Sequence, residues 1–87
     1  MTKQPGNKFS IGAVFGATVD DRFIGWKTIV PVRQITGELA LAESTILSKT
    51  TAQEVAEVML KAKNITEARA VIVEKFPQAV RTLEARR

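Results

Sequence analysis

The chain of 87 residues predicts an α+β domain: an N-terminal antiparallel β-meander packed against two or three C-terminal helices. Three observations carry this expectation. Between Lys8 and Val32 apolar side chains recur at every second position, the period of a half-buried strand. From Thr51 onward they recur three and four apart, the period of a helix buried along one stripe. The two patterns are segregated along the chain, which separates this class from alternating strand–helix folds. The length allows one core, so residues 8–87 read as a single domain and residues 1–7, MTKQPGN, as a flexible lead-in.

The first strand is expected at about 8–19. Phe9, Ile11, Ala13, Phe15, Ala17 and Val19 share one face. The second is expected at about 22–33, with Ile24, Trp26, Thr28, Val30 and Val32 on one face. Between them stand Asp20 and Asp21, which read as the two central residues of a hairpin turn, because aspartate tolerates left-handed backbone. That register sets Val19 against Arg22, Ala17 against Ile24 and Phe15 against Trp26. As a cation site the two carboxylates are weak, since no further ligands accompany them.

A third strand is expected at about 38–45, with Thr36 and Gly37 as its turn, Gln34 facing Leu39 and Val32 facing Leu41. Two features oppose it. Pro31 would fall in the central strand, which calls for a bulge or break there. ELALAE has high helix propensity, so a short helix from Glu38 to Leu47 is the rival.

Helices are expected at about 52–63, 66–76 and 77–86. Thr51 and Glu54 read as a capping box, and Val55, Val58, Met59 and Ala62 as the stripe facing the core. Glu57 and Lys61 form an outward i, i+4 pair. Asn64 or Thr66 can cap the second helix, although AVIV favours a strand through its branched side chains. Pro77 ends that helix and can open the third. The expected core is Phe9, Ile11, Phe15, Trp26, Val30 and Leu41 against Val55, Met59, Ile72 and Leu83.

Composition narrows the chemistry. Cysteine and histidine are both absent, which excludes disulfides, thiolate catalysis and cysteine-ligated zinc and removes the usual general base. The glycines at 12 and 16 lack the Gly-Lys-Ser/Thr continuation of a phosphate loop, and no dinucleotide fingerprint occurs. Ser10, Ser44 and Ser48 have no histidine to activate them. The reading is therefore non-catalytic, with no metal and no cofactor. No run of 18 apolar residues exists, so no membrane span is expected. Lys3 and Lys8 ahead of FSIGAVFGATV faintly suggest a targeting segment. The stretch lacks leucine, alternates with period two and carries Ser10, Gly12, Gly16 and Thr18, so a strand and a cytoplasmic protein are expected instead.

Two partner classes follow. Hydrophobic residues at 45% mark a folded domain, and the second sheet face would carry apolar groups that call for cover. Val14, Phe23, Lys27, Ile29 and Arg33 are the partner-binding set for another protein or a second copy of the chain. The alternative is nucleic acid, allowed by a net charge of +4, through Lys8, Phe23, Lys27, Arg33, Arg81, Arg86 and Arg87. A helix-turn-helix is a poorer fit, because the would-be reading helix exposes Glu67 and Glu74.

Overall fold

A computed structural model describes residues 10–85. Its order is β1 (Phe15–Val19), β2 (Arg22–Arg33), β3 (Leu39–Ile46), α1 (Lys49–Lys61), α2 (Ile65–Lys75) and α3 (Gln78–Ala85). The three strands form one antiparallel sheet in the order β1-β2-β3. The α+β class, the N-terminal meander and the three C-terminal helices are as the sequence predicts. Lys8 and Phe9 lie outside the described residues, and the described part of the first strand begins at Phe15 rather than near residue 8.

The paired aspartates make the turn. Asp20 and Asp21 have φ of 53° and 64°, the double positive φ of a type I′ hairpin, and Val19 faces Arg22 across it. Two residues further the register departs from the expected one. Thr18 faces Phe23 but Ala17 faces Gly25, so Ile24 is an extra residue, a β-bulge. Gly25 permits it. Its φ is +143°, and a Cβ there would lie 2.8 Å from Thr45 Cγ2. Beyond the bulge Gly16 faces Trp26 and Phe15 faces Lys27. Phe15 and Trp26 therefore occupy opposite faces, which corrects the expected aromatic pair.

The second turn is also one residue longer than expected. The Gln34 amide donates to the Glu38 carbonyl at 2.8 Å, and the Gly37 amide to the Gln34 carbonyl at 2.8 Å. Ile35, Thr36 and Gly37 form a three-residue loop in which Gly37 takes the left-handed position with φ of 95°. Arg33 then faces Leu39, Val32 faces Ala40 and Pro31 faces Leu41. Residues 38–47 favour the strand over the helix, because alternate residues of β3 meet the buried row of β2.

β2 runs unbroken through Pro31. The Gln34–Glu38 exchange fixes the alternation, so the nitrogens of Arg33 and Pro31 point away from β3. β1 stops opposite Lys27, so no ladder bond is asked of Pro31. Arg33 does carry an N–H there, and it donates to Glu84 Oε2 at 2.6 Å. That carboxylate also accepts from Arg69 Nε at 3.0 Å and Nη2 at 2.9 Å. One side chain thus joins β2, α2 and α3.

The helices cover the face that carries Trp26, Thr28, Val30, Val32, Ser44 and Ile46. Val30, Val55, Ile72 and Val80 are fully buried where the sheet meets the three helices. Ala52, Ala56, Ala68 and Ala79 let backbones approach closely. Val14 and Leu83 pack on this cluster from its margin. Leu41 and Ile11 do not join it. They are 48% and 40% exposed, because the shifted registers send them to the other face or the rim.

α1 starts one turn earlier than the expected capping box. Ser48 keeps extended backbone and its side chain accepts from the Thr51 amide at 3.2 Å. Only Leu47 and Ser48 separate β3 from α1, so the helix takes the first capping residue it meets. Its buried stripe is Ala52, Val55, Ala56 and Met59. Glu57 and Lys61 make the i, i+4 pair at 3.5 Å. Asn64 caps α2 by accepting from the Glu67 amide at 2.8 Å, and AVIV lies in the helix with Ile72 fully buried. Tertiary burial outweighs the local strand preference. The Phe76–Pro77 break leads into α3 at Gln78.

Two stability predictions follow. Thr28 is 2% exposed and its hydroxyl has no hydrogen-bond partner, whereas the facing Ser44 hydroxyl donates to the Ala79 carbonyl at 2.8 Å. Thr28→Val should therefore be neutral or stabilising by up to about 1 kcal/mol in urea unfolding; a loss above about 1 kcal/mol contradicts this bonding pattern. Glu84→Ala should destabilise by about 2–3 kcal/mol, below the value for a fully buried pair, since Arg69 and Glu84 side chains are 21% and 15% exposed. A loss below about 0.5 kcal/mol would remove Glu84 from its joining role.

Candidate functional site

β2 is longer than β3. β3 ends at Ile46, opposite Trp26, so residues 22–25 reach past it with only β1 beside them. This two-stranded arm carries the Asp20–Asp21 turn at its tip. Its register decides which side chains gather at its base. Ile24 is the bulged residue, so Phe23 and Trp26 fall on the same side. Both lean over Gly16, where a Cβ would lie 3.2 Å from Phe23 Cε1 and 3.4 Å from Trp26 Cζ3. The missing side chain at Gly16 makes room for two rings.

The rings meet edge to face, with centroids 5.3 Å apart and planes at 67°. Lys49 completes the group. The Ser48 cap starts α1 so that its first residue stands against the sheet, and Lys49 Nζ lies 5.0 Å from the Trp26 ring centroid. Trp26 is half-buried and packs on the core, which holds the group rigid from below. Phe23 is 52% exposed, and Thr18 faces it from β1 on the same side of the arm. Arg22 and its partner Val19, both exposed, lie on the opposite side of the arm. The result is an aromatic platform on a fixed base, with Lys49 on its rim and the two turn carboxylates beyond it. Such a platform can bind an apolar surface. It offers no paired acid and base for proton transfer.

The five residues expected to bind a partner are not on one face. Phe23 and Val14 lie on the helix side of the sheet, Val14 against the core. Lys27, Ile29 and Arg33 alternate on the other side. There Ile29 is 6% exposed, and Lys27 Nζ lies 3.3 Å from Glu43 Oε1. Arg33 is exposed and its Nη1 donates to the Gly37 carbonyl at 2.7 Å.

The basic set is dispersed as well. Phe23 and Arg33 lie ten positions apart on one strand, about 33 Å at ordinary strand rise. Arg81 is exposed on α3, while Lys8, Arg86 and Arg87 lie outside the described residues. Among the described residues no group of three or more acidic side chains is placed to hold a metal ion. No helix among them is long and apolar enough to cross a membrane.

Sequence reasoning identified Phe23 but missed Trp26 and Lys49 as its companions. The signal was present in Gly25: a glycine inside an alternating strand pattern marks a bulge, and a bulge moves the residues beyond it to the other side of the partner strand. Comparison with known proteins adds no relative, since no family model, curated protein or solved structure matches the chain.

Proposed function

We propose that the chain is a small, cytoplasmic, non-catalytic module that binds another protein through the platform of Phe23 and Trp26. The observation that carries this reading is the half-exposed Phe23 ring standing edge-on to a Trp26 that the core and Lys49 hold in place. A soluble domain gains nothing for its own core from leaving such a ring outside. At an interface, a rigid aromatic pair with a cationic neighbour supplies what the strongest contact residues supply: area, shape and little entropy to lose. Lys49 suits a partner with an apolar side chain flanked by a carboxylate. The non-catalytic reading is supported by a chain with neither histidine nor cysteine.

Nucleic acid is the second reading, favoured by the +4 charge. Its support is weaker, because Lys27 is paired with Glu43, and Arg33 and Arg81, the other described cations of that set, stand at the far end of β2 from Phe23 and on α3.

Phe23→Ser should abolish capture of a partner from cell extract while leaving the thermal midpoint within a few degrees, since the ring is half in water. Amine-reactive cross-linking should attach the captured protein at Lys49. Capture that persists in Phe23→Ser contradicts the platform. Retention of single-stranded RNA or DNA that falls steeply between about 50 and 200 mM salt would instead support the second reading.

A further inference from the structure

The two edges of this sheet are treated differently. On one side the edge is the five-residue β1, and β2 beyond Lys27 offers little to a further strand. Pro31 has no N–H to offer, and the Arg33 N–H is taken by the Glu84 carboxylate. On the other side, β3 is an edge strand of eight residues. Among the described residues no strand lies beyond it. The bond alternation set by Gln34 and Glu38 turns the N–H and C=O groups of Leu39, Leu41, Glu43 and Thr45 outward. Nothing in β3 blunts this edge. It has no proline, its register with β2 is unbroken, and its one charge, Glu43, is already paired with Lys27.

The ends of the same edge complement each other. At the start of β3 the loop carries Ile35, 82% exposed and on the helix side, where it shares a concavity with Leu83. At the finish of β3 lies a groove of about 470 Å³, also on the helix side, lined by Thr45, Leu47, Phe76, Pro77 and Ala79. Leu47 in its wall is 84% exposed. A projecting apolar residue and an apolar groove at opposite ends of one bare strand are self-complementary under a two-fold axis. Antiparallel pairing places each Ile35 beside the other copy's groove, twice over. A foreign peptide would need its own counterpart of Ile35 and would leave the Ile35 of this chain uncovered.

We propose that β3 pairs with β3 of a second copy of this chain, antiparallel across a two-fold axis at Ala42, to give a continuous six-stranded sheet. This register is the one that uses every outward group: Leu39 faces Thr45 of the second copy and Leu41 faces Glu43, in both directions. An axis at Leu41 leaves Thr45 opposite the turn, and an axis at Glu43 sets like charges face to face. Leu41 then covers its apolar surface against the second sheet, and each Glu43 keeps its own Lys27. The surface is distinct from the Phe23 platform, so the dimer and the platform can fail separately.

Light scattering from about 1 to 100 µM should report twice the 9.5 kDa of one chain at the upper concentrations. Leu41→Lys and Ile35→Asp should each shift the mass to one chain, with far-ultraviolet circular dichroism and the thermal transition still showing a folded protein. The chain has no cysteine, so Ala42→Cys should form a disulfide-linked dimer on oxidation, whereas Leu60→Cys on the outer face of α1 should not. A wild-type mass of one chain throughout overturns the proposal. So does a dimer that survives both edge variants, or an Ala42→Cys chain that links no faster than Leu60→Cys.

Discussion

The register of β2 is the constraint on which the rest of the molecule depends. This strand pairs with both others and gives the sheet its buried row of Trp26, Thr28, Val30 and Val32. Because side chains alternate, a shift of one residue would send that row to the open side and bring Lys27, Ile29 and Arg33 under the helices. Two backbone devices prevent it. The bulge at Ile24 sets β1 against β2, and the three-residue loop with Gly37 sets β3 against β2. Both rely on a glycine at positive φ, where other residues are strained.

Once the row is inside, the helices need few further instructions. Each carries a short stripe that meets it: Val55 and Met59, Ala68 and Ile72, Ala79 and Val80. Small residues dominate the contacts, so the layers sit close. The polar ties lie at the periphery. Glu84 gathers the Arg33 amide and the Arg69 guanidinium at one end of the sheet, and Lys49 rests over Trp26 at the other. The platform is therefore an extension of the core: the same indole packs on the buried cluster with one side and supports Phe23 with another.

Much of the fold was legible from sequence. Asp20–Asp21 marked the turn, the break at Pro77 divided the last two helices, and the switch of period near Thr51 separated sheet from helices. What was not legible was which side of β1 faces inward. Phe9, Ile11 and Phe15 made the odd positions look like the core side, because alternation identifies a face by its apolar content alone. Phe15 instead stands opposite Lys27, while Val14 and Gly16 are turned to the helices. Leu41 misled in the same way: its larger side chain suggested burial, but Ala40 and Ala42 face the close-packed helices. The candidate site was legible only as Phe23. Its companions come from the bulge and from an early helix start, and both depend on pairings beyond any local window.

The interior depends on Phe15 and Trp26 of the first hairpin lying on opposite sides of the sheet. Nuclear Overhauser contacts measured by nuclear magnetic resonance test this without any substitution. The indole protons of Trp26 should contact the Phe23 ring, the α-protons of Gly16 and the Lys49 side chain, while the Phe15 ring contacts the Lys27 side chain. Strong contacts between the Phe15 ring and the Trp26 indole would contradict it, because they require the unbulged register and with it a different interior.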